Sequence, residues 1–343
     1  MNKAYLDIIV PHCKEPWEIG KKFFDMLSLQ RGIRFEDIRV ILCQDGPEGG
    51  LPGCIFDDYP YKVLTVMIPH GGVSAAWNAG IRAATAPWIC FCDFDDMYSS
   101  ALSMKVILEG LRKAEKDGIV YLWNRFLEEI GHPETGEYAV YKHDWDATFI
   151  HGRFYWRQFI LDHDLRFNET LTFGEDQDFN TLCQIIAGNE RVGELKEPIY
   201  LWCENENSVT RREKDKTVFY SRMLEHRFAT AEELRLRGIE GEYLGAVVRC
   251  VIDAYYEMNT DKPRENVLKC EEQFAVWWLG HRNDFFRAPR ALVASILDTV
   301  RSKAVQAGTV SVERITLGDW LASLEQKYGT RDGHDSQPSG SAE

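Results

Sequence analysis

Residues 86–98 read APWICFCDFDDMY. An apolar run from Trp88 to Cys92 is followed at once by three aspartates in four positions, Asp93, Asp95 and Asp96. A short apolar run bounded by a proline and a polar turn has the signature of a buried strand. Acids at the tip of such a strand either form a solvated loop or hold a hard cation. Mg²⁺ and Mn²⁺ are usually held by one or two carboxylates, with substrate phosphates completing the shell.

The sequence before this stretch alternates strand and helix signals. YLDIIVP (5–11), IRVILCQDG (38–46) and YKVLTVMIP (61–69) read as strands ending at Pro or Gly. Between the first two, Trp17, Ile19, Phe23, Phe24 and Leu27 form an amphipathic stretch. GVSAAWNAGIRAAT (72–85) is rich in helix formers with apolar residues at helical spacing. Strands separated by helices indicate a parallel α/β sheet, in which ligands sit at the carboxyl ends of the strands. Asp45 and the cluster Asp93 to Asp96 both fall there. The middle third is less regular. GIVYLWNRFLEEI (118–130) and GEYAVYKHD (136–144) read as sheet, and the region from His151 to Gly188 as a strand, a short helix, a loop and a helix from Glu175. From about Asp215 the pattern is helical, and the polar, Gly- and Ser-rich end reads as disordered.

The stretch GGVSAAWNAGIRAATAPWICFCDFDD (71–96) resembles the nucleotide-sugar half of the family-two inverting glycosyltransferases, which have the GT-A fold. DIIVPHCKEP (7–16), ILCQDG (41–46), LRFNETLTFGEDQDFN (165–180) and PIYLWCENENSVTRR (198–212) match further segments of that family in order. The resemblance covers roughly residues 5 to 212 and leaves the helical last third uncovered. It implies a mixed, mainly parallel sheet flanked by helices. Residues 1–214 form the catalytic domain (donor half about 1–110, acceptor half about 111–214). Residues 215–328 form a helical C-terminal extension and 329–343 a disordered tail. The extension carries apolar stripes without clustered chemistry, and is expected to cap the catalytic domain or mediate self-association.

The resemblance also implies roles. Pro11 and Glu15 shape the first loop and contact the nucleoside, Asp45 accepts from the uracil ring, and Ser74 and Asn78 belong to the donor-binding helix motif. Asp93 and Asp95 face the ribose and metal, and Asp95 or Asp96 ligates a Mn²⁺ or Mg²⁺ bridging the diphosphate. Asp176 is the general base. The donor is then a nucleotide sugar, UDP-sugar favoured. The acceptor is a hydroxyl of a glycan, a lipid-linked intermediate or another molecule, as in surface polysaccharide synthesis. Two positions depart from the pattern. Trp77 stands where the family has arginine, and is expected to pack in the core. The late histidine metal ligand is missing from CENENSVTRR, where Asn205, Asn207 or water could substitute and Arg211 and Arg212 could reach the diphosphate. His12, His70, His151 and His163 are scattered and read as structural.

Composition narrows the alternatives. Net charge is −14, with a pI near 5.2, which argues against nonspecific binding to nucleic acid or anionic membrane. Nine cysteines, several in apolar runs, suit buried thiols in a reducing cytosol. No window approaches the ~20 apolar residues of a membrane span. A cytoplasmic protein, peripheral at most to the inner membrane face, is expected. The aromatic and arginine segments AVWWLG (275–280) and NDFFRAPRAL (283–292) raise the alternative of a membrane-surface helix. FCDFDDM also resembles the motif of aspartyl-nucleophile phosphohydrolases, but that motif belongs near the N-terminus and leaves GGVSAAWNAG and GED unexplained. A glycosyltransferase acting on modified DNA bases is a further alternative.

Overall fold

The computed structural model describes residues 4–131, 138–143, 149–205, 216–259, 265–306 and 315–329. The chain divides into two compact units, Met1–Arg212 and Glu213–Glu343.

The first unit is built on one sheet. β1 (Leu6–His12), β2 (Ile38–Asp45), β3 (Lys62–Ile68) and β4 (Trp88–Phe91) lie in the order β3-β2-β1-β4, all parallel. β1 and β2 are buried along nearly their whole length, as strands covered on both faces must be, whereas β3, at the edge, is largely exposed. Pro11 costs β1 no ladder bond toward β4, because that pairing stops at Ile9 opposite Phe91. Helix α1 (Trp17–Ser28) connects β1 to β2, and α2 (Val73–Ala83) connects β3 to β4. At Gly80, α2 approaches β1 so closely that a Cβ would lie 2.2 Å from Ile9 Cγ2.

Beyond β4 the sheet changes character. β5 (Met97–Tyr98) pairs antiparallel with β9 (Val192–Trp202), and between them in sequence come α3 (Ser103–Lys116), β6 (Tyr121–Gly131), β7 (Tyr138–His143), β8 (Arg153–Trp156), α4 (Arg157–Asp162) and α5 (Glu175–Ala187). β8 joins β4 and β6 antiparallel, and β6 pairs parallel with β9. The mainly parallel character thus belongs to the first half, and the complete sheet is mixed. Where the β6–β9 register slips, Asn124 supplies the missing bonds: its amide donates to Leu195 O (2.8 Å) and Glu197 O and accepts from Ile199 N (3.2 Å).

The second unit is helical: α6 (Lys216–Leu236), α7 (Glu240–Met258), α8 (Glu265–Leu268), α9 (Glu271–Arg287), α10 (Arg290–Gln306) and α11 (Leu317–Tyr328). It has its own core, in which Val247, Val251, Phe274, Trp278 and Trp320 are buried. NDFFRAPRAL is not one amphipathic helix, because α9 ends at Arg287 and α10 begins beyond Pro289. Among the described residues no helix is long and apolar enough to cross a membrane. Asn207, Arg211, Arg212 and nearly all of the C-terminal tail lie outside the described residues.

Candidate active site

The acidic turn runs from the end of β4 to β5. Its side chains alternate, with Phe94 and Asp96 buried and Asp93 and Asp95 half-buried. Phe94 packs on His12 (ring centroids 4.6 Å) and on Phe24 (6.3 Å), pinning the turn to β1 and α1. Asp96 has both oxygens engaged by the protein. Oδ2 accepts from the Tyr200 hydroxyl (2.6 Å) and Oδ1 from Cys203 N (2.8 Å). Asp95 Oδ2 accepts from the Asn205 amide (2.6 Å).

Helix α5 brings the second set of acids. Gly174, its N-cap, takes a left-handed φ of 76°, and Glu175, Asp176 and Asp178 fill the first turn, where the helix dipole favours negative charge. Asp176 Oδ1 accepts from Gln177 N (2.8 Å) and Oδ2 from Ile150 N (3.2 Å). The same segment delivers His151, buried and stacked on Trp202 (5.1 Å), with Nδ1 3.8 Å from Asp96 Oδ2. Ligand atoms of Asp93, Asp96 and His151 all lie within 4.8 Å of one another.

Five carboxyl groups therefore share one place, and the proton affinities of Asp93, Asp96, Glu175 and Asp176 show it. Burial, then Asp96, Asp95, Asp176 and Glu175, hold Asp93 well above the usual carboxylate range. Burial and Asp95 push Asp96 up to about 8. Burial and Asp176 raise Glu175 to about 7. Burial raises Asp176 to about 6, against the opposing backbone bonds from Gln177 and Ile150. A concentration of acids this unfavourable to itself, with an imidazole among them, fits a divalent cation: charge, donor type and donor number all suit one.

The other sequence-predicted residues lie at the ends of β1 and β2 or in α2. Pro11 closes β1, and Glu15 Oε2 accepts from Cys13 N (2.8 Å) and Lys14 N (3.1 Å), shaping the following loop. Asp45 is buried, its oxygens accepting from Gly71 N (2.6 Å) and Gly72 N (2.9 Å) at the start of α2. Asn78 reaches Phe167 rather than solvent, accepting from Phe167 N (2.9 Å) and donating to Phe167 O (2.9 Å) and Glu169 Oε1 (2.9 Å). Ser74 is buried, and among the described residues its hydroxyl has no hydrogen-bond partner. Trp77 packs in the core, as its apolar surroundings require, against Phe91 (5.9 Å) and Phe167 (4.6 Å). His151, which the sequence reads as structural, instead joins the acidic cluster. A lone histidine 55 positions after Asp96 carries no local signal, and only the antiparallel placement of β8 brings it to the turn.

Residues 7–172 match the family model described as glycosyl transferase family 2. An uncharacterized glycosyltransferase, EpsJ of Bacillus subtilis strain 168, is 32% identical over 195 residues, 51% of this chain and 55% of EpsJ. Among solved structures, S. aureus TarS superimposes with a TM-score of 0.60 at 14% identity, covering 94% of this chain and 55% of TarS. TarS residues 1–349 in complex with UDP-GlcNAc give a TM-score of 0.50 at 14% identity, covering 89% and 92%. The chain thus spans about half the length of EpsJ and of the longer TarS chain. The fold is GT-A-like.

Proposed function

From the match of residues 7–172 to the glycosyl transferase family 2 model, we propose that the protein is a metal-dependent, inverting glycosyltransferase. It moves a sugar from a nucleotide sugar, a UDP-sugar first, to an acceptor hydroxyl in surface polysaccharide or other glycoconjugate synthesis. The observation that carries this reading is the meeting of the acidic turn, Asp93 to Asp96, with Glu175, Asp176 and His151 beyond the carboxyl end of β4. The TarS complex with UDP-GlcNAc supports a uridine nucleotide.

Asp93 and His151, whose ligand atoms converge with those of Asp96, would hold Mn²⁺ or Mg²⁺ together with Asp95. Asp96, its oxygens taken by Tyr200 and Cys203, keeps the turn in shape. The bound cation supplies Lewis-acid neutralisation of the departing nucleoside diphosphate. Asp45, at the carboxyl end of β2, and the Glu15 loop line the nucleoside end of the donor cleft. Asp176 takes the proton of the acceptor hydroxyl as that oxygen attacks the anomeric carbon. The bond from that carbon to the diphosphate breaks on the opposite face, its electron pair leaving with the nucleotide, so the configuration inverts. Two backbone amides fix Asp176, and burial raises it to about 6, nearer neutral pH than an ordinary carboxylate, as suits a base.

The test is release of free UDP from a panel of UDP-sugars with Mn²⁺, with and without EDTA, beside phosphate release from a generic phosphoester. Mn²⁺-dependent UDP release supports the reading. Phosphate release without any UDP release would replace it with the phosphohydrolase alternative.

A further inference from the structure

A second set of metal-binding side chains converges beyond the ends of the parallel strands. Cys13 follows β1, Asp45 ends β2 and His70 lies two residues past β3. Cys13 Sγ is 3.9 Å from His70 Nδ1, and that nitrogen is 2.9 Å from Asp45 Oδ2. Ligand atoms of all three lie within 4.8 Å of one another. We propose that Cys13, Asp45 and His70 form a zinc-class metal site with a donor set unlike that of the acidic turn.

The donor types decide the metal. A thiolate with an imidazole and one carboxylate favours a borderline-soft ion over Mg²⁺ or Mn²⁺. With Zn–S about 2.3 Å and Zn–N about 2.0–2.1 Å, a tetrahedral ion sets sulfur and nitrogen roughly 3.5 Å apart. The observed 3.9 Å needs only a small shift, and the His70 side chain is 68% exposed and free to make it. Asp45 is the fixed member, since the Gly71 and Gly72 amides orient its carboxylate as outer-shell partners orient a ligand. Cys13 is held by its own backbone, whose N–H donates to Glu15. Water completes the fourth position. On binding, the Cys13 S–H bond breaks, the S–Zn bond forms and the proton passes to solvent. A His70–Asp45 ion pair, half of it buried, with Cys13 as a bystander is the competing account.

One consequence rests on the donor reading given above. Asp45 cannot serve both the ion and a nucleobase equally well, so zinc and the nucleoside compete.

The experiment uses the full chain, reduced, with Co²⁺ as a spectroscopic stand-in for Zn²⁺. The wild type is expected to develop a thiolate-to-cobalt absorption that Zn²⁺ bleaches. Cys13→Ser should lack it, and His70→Gln should bind Zn²⁺ at least tenfold more weakly, both with metal-free melting temperatures near wild type. Absence of that absorption in the wild type, or equal Zn²⁺ affinity in all three proteins, overturns the site. Uridine, which has no phosphate to chelate the ion, serves as competitor. Cobalt binding that depends on Cys13 but is indifferent to uridine upholds the metal site and removes Asp45 from the nucleoside pocket.

Discussion

The Tyr200 hydroxyl donates to Asp96 Oδ2 at 2.6 Å and accepts from the Asp93 backbone N–H at 3.2 Å. One phenol on β9 thus fastens both ends of the acidic turn, and buried Asp96 acts as an anchor. Tyr200→Phe leaves a carboxylate oxygen and an amide without this partner. It is expected to cost about 1–3 kcal/mol of stability, the usual loss for a buried group left unsatisfied. Denaturant titration of the two proteins measures it, and an unchanged midpoint would show that the turn is held by other means.

On the proposed reading, Asp95 joins Asp93 in holding the cation while Asp96 anchors the turn. Mn²⁺ and UDP together should raise the melting temperature by linkage, and EDTA should remove the gain. Asp95→Ala is expected to abolish the metal-dependent part while leaving the metal-free melting temperature close to wild type. Asp96→Ala should lower that baseline itself. If UDP stabilises the wild type equally with and without EDTA, the metal assignment is wrong.

Asp176→Asn keeps the shape of the base and removes its basicity. Transfer should fall roughly 10²–10⁴-fold, the usual contribution of a positioned base, with UDP affinity nearly unchanged. Glu175→Gln should matter less and Asp178→Asn least. With Glu175 near 7 and Asp176 near 6, wild-type transfer should decline as pH falls through that range. Near-normal transfer by Asp176→Asn, with Glu175→Gln inactive, would move the base by one residue.

In the helical unit, burial and the neighbouring Arg227 lower His226 from 6.5 to about 4, and among the described residues its Nε2 has no hydrogen-bond partner. As pH falls, the unfolded chain takes up this proton before the folded one does. Stability associated with neutral His226 is therefore intact above pH 6.5 and lost progressively toward pH 4, amounting to roughly 3 kcal/mol. His226→Phe should flatten that part of the pH dependence. Equal losses between pH 7 and 4.5 in the two proteins would count against it.

The sequence disclosed the parallel half of the sheet because its strands are continuous apolar runs, and the helix from Glu175 because Gly174 and three acids announce its start. It did not disclose β5, two residues long and defined only by pairing with Leu201 and Tyr200. α3 was passed over despite a clear apolar face formed by Met104, Ile107, Leu108 and Leu111. At the site, the acids were legible as a cluster but their orientations were not. Which aspartate turns inward depends on Tyr200, more than 100 positions away. Asn78 likewise looked like a ligand contact until its partner, the Phe167 backbone, came into place.

A side chain at Gly20 would place its Cβ 2.1 Å from Phe94 Cζ. Nothing about α1 marks this position as belonging to the chemistry, yet the ring it touches is the plug that seats the acidic turn. A survey of tolerated substitutions should therefore show a gap at residue 20 as sharp as the gaps at the acids themselves. On this expectation, tolerated variation in the chain is limited from beneath the site as well as within it.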